Sequence, residues 1–205
     1  MYSVVDEAEI TDRRLLRGAR TRQIVLRRAV DLASLEGLVG LSFGRLASDT
    51  GLSKAGVQTM FKTKEILQVA TVDHAREMFI DAVINPIRST GHGVPRLRAM
   101  VDRWIVYAET PLFEGGCFRA ANLADYDSRP GPVRDALFRD RDEWLAFIAG
   151  EVRHAVVAGE IPDTDPDLTA FVVDAVLCAA NTALRAGDPE VTDKIRRFVD
   201  ATLAG

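Results

Sequence analysis

Residues 41–67 read LSFGRLASDTGLSKAGVQTMFKTKEIL, and their apolar positions fall into two short helical stripes rather than one long one. Ser42 can cap a helix over 43–50, because its hydroxyl accepts a free backbone N–H. Leu41 and Leu46 flank that cap as a hydrophobic staple, and Gly51 offers a left-handed end. The device repeats at once: Ser53 caps a helix over 54–61, with Leu52 and Val57 as its staple. Leu46, Ala47, Leu52, Val57 and Phe61 are spaced to meet in one small core. A helix–turn–helix of this kind leaves the outer face of its second helix open. That face carries Lys54, Ala55, Gln58, Thr59 and Lys62, side chains suited to phosphates and base edges in a major groove.

The helical period continues in both directions. Val25, Ala29, Leu32 and Ala33 predict a helix over 21–36, broken by Gly37 and Gly40, with residues 1–12 as an arm. Thr63 caps a long helix over 64–84 that leaves the reader and enters the rest of the chain. Further helices are predicted over 94–110, 117–124 and 133–158. Asp165-Pro166-Asp167 gives an acidic cap, a proline at the first helical position and an acid in the first turn. Asp188-Pro189-Glu190 repeats it, so the last two helices run from about 166 to 187 and from about 190 onward. No stretch alternates as a strand would. The expectation is an all-α chain of about nine helices.

Charge changes this picture. The chain of 205 residues carries a net −4, yet between Arg13 and Lys64 eleven lysines and arginines face three acids. A local +8 joined to an acidic remainder suggests one part facing a polyanion and another facing something else. No uninterrupted apolar run reaches the roughly 18 residues of a membrane span, and the acidic start lacks a signal-peptide core. A cytoplasmic protein is expected. Two cysteines, Cys117 and Cys178, argue against a disulfide scaffold.

The run over 53–67, SKAGVQTMFKTKEIL, resembles the DNA-binding signature of the tetracycline-repressor (TetR/AcrR) family. Leu46-Ala47, Gly51, Leu52-Ser53, Phe61 and Lys64-Glu65 fall in that family's spacing, and Arg22-Gln23-Ile24-Val25 with Ala29 fit its first helix. Gln58 stands where the family usually has a tyrosine, and Met60 where it often has histidine or another aromatic. The resemblance implies a DNA-binding domain over 19–79, with its reader at 42–61, and a ligand-binding and dimerisation domain over 80–205. It implies a homodimer on double-stranded operator DNA, responsive to a small apolar effector. On that reading Lys54, Gln58 and Thr59 approach base edges beside Ser53 and Ala55, while Arg45, Lys62 and Lys64 hold phosphates. Arg17, Arg20 and Arg22 are further phosphate candidates. Dimerisation would use Phe171, Ala175, Cys178, Ala179, Ile195, Phe198 and Val199. Residues 113–126 also resemble one branch of the family's C-terminal domains.

Pocket candidates are the aromatics and polar tips of the remainder: Phe79, Trp104, Tyr107, Phe113, Cys117, Phe118, Asn122, Tyr126, Trp144 and Phe147. Each fits core packing as well. Glu151-x-x-His154 has the spacing of a carboxylate-bridged metal bundle, but such sites need two copies, and His74 and His92 have no partner at ligand spacing. No nucleophile elbow, phosphate loop or dinucleotide fingerprint occurs. No enzyme activity, metal or cofactor is expected. Two other readings stay open: a helical small-molecule-binding protein or enzyme whose DNA-binding part is vestigial, and a redox sensor built on Cys117.

Overall fold

The computed structural model describes residues 7–204, all helix and connecting turn among the described residues. Helix α1 (Glu7–Glu36) leads through a 3-10 turn (Leu38–Gly40) into α2 (Phe43–Thr50) and α3 (Lys54–Phe61). Helix α4 (Lys64–Phe79) follows, then α5 (Val94–Glu109), α6 (Phe118–Tyr126), α7 (Pro132–Val157), α8 (Pro166–Arg185) and α9 (Val191–Ala204). One continuous apolar core runs from Val25 in α1 to Leu203 in α9.

The helix ends follow from their caps. The Ser42 hydroxyl accepts from the Arg45 amide at 3.2 Å, and Ser53 from the Gly56 amide at 3.0 Å. Gly51 closes α2 in the left-handed conformation, φ 70° and ψ 19°. Thr63 accepts from the Ile66 amide at 3.1 Å. Asp165 Oδ1 accepts from the amides of Asp167 and Leu168 at 3.0 and 3.1 Å. Each cap satisfies an amide that the first turn of a helix leaves free.

Three elements differ from expectation. Helix α1 starts at Glu7, not near Thr21: the Thr21 hydroxyl donates back to the Arg17 carbonyl at 2.9 Å, a bond made inside a helix rather than at its start. Residues 7–12, expected as an arm, belong to that helix; residues 1–6 of the expected arm lie outside the described residues. Helix α6 runs on to Tyr126, past the expected 124. Helix α4 does not stay regular to Ile84. From Ile80 to Ile84 it widens into a π-helical turn, followed by a 3-10 turn over Asn85–Ile87.

The connection from α3 to α4 is unusually tight. Lys62 has φ 60° and ψ −59°, the one non-glycine residue with positive φ among those described. The Thr63 amide donates to the Phe61 carbonyl at 2.6 Å across it, closing a three-residue γ-turn. An L side chain is strained there. Lys62→Gly should therefore raise stability by about 1 kcal/mol, measured as a higher denaturant midpoint at unchanged slope.

Candidate functional site

Helix α3 presents two faces. Val57 and Phe61 are fully buried, while Ser53, Lys54, Ala55, Gln58, Thr59 and Lys62 are exposed together on the opposite side. Among the described residues no carboxylate pairs with Lys54 or Lys62. Helix α1 braces this reader from behind: the Arg22 guanidinium lies 4.4 Å from the Phe61 ring centroid and donates to the Met60 carbonyl at 3.4 Å.

Two of the expected phosphate holders are engaged elsewhere. Arg45 bonds Asp49 at 3.2 Å and lies 3.8 Å from Glu36, so its charge is partly answered within the reader. Asp49 also accepts from Arg28 at 2.9 Å, and these two arginines hold its carboxyl below the usual range, Arg28 most strongly. Lys64 sends Nζ to the Val39 carbonyl at 2.5 Å, closing the turn between α1 and α2. Arg22, a further phosphate candidate, is spent on Phe61 and Met60.

The reader is fastened to the helices behind it through the backbone of one residue, Leu38. The Leu38 amide donates to Asn122 Oδ1 at 2.7 Å, and the Leu38 carbonyl accepts from Gln68 Nε2 at 2.7 Å. Asn122 also donates to the Ala33 carbonyl at 3.1 Å, and Gln68 to the Tyr126 hydroxyl at 3.0 Å. Asn122 was expected in a pocket. It is fully buried against α1 instead, because its amide can answer both a donor and an acceptor at the end of that helix. The loop between α5 and α6 adds a second fastening. The Gly115 amide donates to Ser34 Oγ at 2.8 Å, and a Cβ on Gly115 would stand 2.0 Å from the Ser34 carbonyl. Arg28 reaches Glu114 at 3.1 Å, and Arg27 donates to the Leu112 carbonyl at 2.6 Å.

Behind that loop lies a cavity of about 130 Å³ between α4, α6 and α7, lined by Phe79, Ile80, Ile84, Trp144 and Phe147 with Arg76, Arg119, Asp140 and Glu143. A smaller one of about 10 Å³ adjoins it, sharing Phe79 and Arg119 and adding Tyr107, Phe113, Cys117 and Phe118. The π-helical turn of α4 supplies Ile80 and Ile84 to the wall. Phe79 meets Tyr107 and Trp144 edge-on, with ring centroids 5.2 and 5.3 Å apart. Burial pushes the Tyr107 phenol well above its usual pKa, with the neighbouring Cys117 thiol adding to the effect. Burial works against the Arg119 charge, but Asp140 at 2.9 Å and other neighbours more than offset it.

Six of the expected aromatics thus come together here, with Cys117 among them. Trp104 and Tyr126 line neither cavity; Trp104 belongs to the core, and Tyr126 serves the Gln68 contact. Sequence reasoning missed Arg76, Ile80, Ile84, Arg119, Asp140 and Glu143. Arg119 had a usable signal: it stands three and seven residues before Asn122 and Tyr126, on the buried stripe of α6. The pair Glu151 and His154 also meets His92, whose Nδ1 lies 3.0 Å from Glu151, but the same carboxylate holds Arg96 at 3.2 Å.

Helix α8 is, by length and composition, apolar enough to cross a bilayer, although Asp174 interrupts it. Asp174 is buried and accepts from Trp144 Nε1 at 2.9 Å, fixing the inner face of the helix. The outer face is open: Phe171 is 55% exposed, Ala175 and Ala179 are exposed, and Cys178 is half-buried. Burial lifts the Cys178 thiol to about 11. Ile195 and Val199 were expected on the same open face. They are 1% and 6% exposed, because the apolar stripe of α9 packs into the subunit's own core; Phe198 is half-buried at its edge.

An open, cation-flanked helix–turn–helix fastened to a helical body with its own cavity defines a DNA-binding regulator. The tetracyclin repressor-like C-terminal domain model matches residues 93–199, and the chain belongs to that family of transcriptional regulators. It is similar in structure to a TetR transcriptional regulator from Chloroflexus aurantiacus, with a TM-score of 0.84, 26% identity, and 92% of this chain and 96% of that one covered. A TetR-family regulator from Agrobacterium tumefaciens matches at a TM-score of 0.79 and 16% identity, over 90% and 98% of the two chains. AibR, solved with isovaleryl coenzyme A and operator DNA, matches at 0.73 and 19%, over 88% and 97%. Among curated proteins none matches significantly.

Asn122→Ala would leave the Leu38 amide buried and unpaired. Stability should fall by about 2 kcal/mol, read from urea unfolding.

Proposed function

We propose that the chain is a ligand-responsive repressor that binds a pseudo-palindromic operator as a homodimer, with no catalytic step. The observation that carries this is the exposed, unpaired face of α3, held at a fixed angle by α1 and α4. Residues 19–79 would form the DNA-binding domain and residues 80–205 the effector and dimer domain, in the cytoplasm. Likeness to AibR, which holds both operator DNA and an acyl coenzyme A, supports a protein with two kinds of partner.

On this reading Lys54, Gln58 and Thr59 face base edges, with Gln58 suited to adenine, beside Ser53 and Ala55. Lys62 sits against phosphates, while Lys64 and Arg45 add their charge from the Val39 carbonyl and from ion pairs within the reader. The two α3 helices of a dimer would enter major grooves about 34–36 Å apart or a multiple of that. Phe171, Ala175, Cys178 and Ala179 supply the seam, since small and branched side chains let paired helices approach closely. The effector occupies the cavity at Phe79 and Trp144. There it meets α4, whose other end adjoins the reader, so a ligand that prefers one setting of α4 shifts operator affinity.

The direct measurement is mobility shift on DNA upstream of the chain's own gene. Lys64→Ala should weaken binding to all sequences and reduce the salt slope by about one unit; an unchanged slope removes the phosphate assignment. Gln58→Ala should change the ranking of operator variants, and a uniform loss across them would count against base reading. In sedimentation Phe171→Glu should convert a dimer to a monomer and cost roughly a hundredfold in operator affinity. A wild-type chain that sediments as a monomer would refute the seam.

A further inference from the structure

The cavity in the body sets a partly used guanidinium beside an aromatic wall. Arg119 is 9% exposed and walls both parts of it. Its Nε donates to Asp140 Oδ2 at 2.9 Å; among the described residues its terminal nitrogens meet no acceptor. A guanidinium has five N–H groups in a planar fork, so one edge is used and another faces the cavity. The Tyr107 phenol lines only the adjoining space of about 10 Å³ and is engaged with Cys117. Each carboxylate of the wall is engaged through one oxygen. Asp140 holds Arg119 and lies 3.9 Å from Arg76, and Glu143 bonds Arg76 at 2.9 Å.

We propose that this cavity binds a small apolar carboxylate, its two oxygens on the terminal nitrogens of Arg119 and its hydrocarbon part between Phe79, Trp144 and Phe147. Planar bidentate pairing of carboxylate and guanidinium is the strongest hydrogen-bonded contact such a wall can make. The aromatic rings alone would suit an organic cation just as well. Here the Arg119 guanidinium carbon already lies 5.3 and 5.5 Å from the Phe79 and Trp144 ring centroids, so a second cation would meet repulsion. The volume of about 130 Å³ limits the ligand to roughly one ring or a short chain. This inference rests on the reading that the body cavity is the effector site.

The test uses three near-isosteric probes on the full-length protein by calorimetric titration: benzoate, benzamide and benzamidine, with toluene as the uncharged apolar control. Benzoate should bind about tenfold or more tighter than benzamide, and benzamidine not measurably. Arg119→Met should erase the preference for benzoate over benzamide. Should that variant fail to fold, because Asp140 is left alone, Arg119→Lys keeps a cation beside Asp140 but removes the planar fork, and should weaken benzoate severalfold while leaving toluene unchanged. Benzamidine binding tightest, or benzoate and benzamide binding alike, overturns the proposal. Toluene binding without benzoate overturns it too, yet leaves the cavity as an effector site. If no probe binds while operator DNA is still retarded, the proposal and the cavity assignment both fall and the regulator stands. If benzoate binds but no DNA is retarded, the carboxylate site stands and the regulator reading falls.

Discussion

The molecule depends on how the backbone of one residue, Leu38, is satisfied. Both its amide and its carbonyl are buried, and buried backbone groups demand partners. Asn122 from α6 takes the amide and Gln68 from α4 gives to the carbonyl. Neither side-chain partner is local in sequence, so the body adds to the local bond from the Leu41 amide and holds the turn between α1 and α2 against itself. The orientation of the reader is thereby a property of the whole chain. The docked loop at Gly115 reinforces this, because its backbone approaches α1 at a distance that no side chain would permit.

Two physical routes connect the cavity with the reader. One is α4, which walls the cavity with Phe79, Ile80 and Ile84 and begins beside the last residues of α3. The other is the loop before α6. Phe113 and Cys117 face the smaller cavity, while Glu114 and Gly115, between them in sequence, hold α1. A ligand that moves either wall acts on contacts already made to the DNA-reading part. The π-helical turn lies in the first of these walls, and such widened turns are often found at functional positions.

The two reader helices were legible to the residue because their boundaries are set by caps within four positions: Ser42, Gly51, Ser53 and Thr63. The fold class was legible for the same reason, from helical period and start signals. What sequence could not supply was the partner of each apolar or charged stripe. Helix α8 is apolar on two sides, one in the core and one facing outward, whereas the apolar stripe of α9 faces only the core. The basic segment read as a surface for a polyanion, but much of its charge is structural. Arg22 braces Phe61, Arg27 and Arg28 tie down the loop before α6, and Arg45 joins Asp49. Lys54 of α3 and Lys62 in the turn after it carry what remains. Arg119 was hidden by a separation of twenty-one residues from Asp140, a pairing no local rule reaches.

The γ-turn at Lys62 has a mechanical consequence. With a three-residue hook in place of a loop, there is no slack between α3 and α4, and the two turn as one crank. Helix α4 spans sixteen residues, which makes its arm about 24 Å long. A tilt of about 5° at the cavity end then sweeps the far end by about 2 Å. That is most of the length of a hydrogen bond, enough to lift a side chain off a base edge without unfolding any part of the chain.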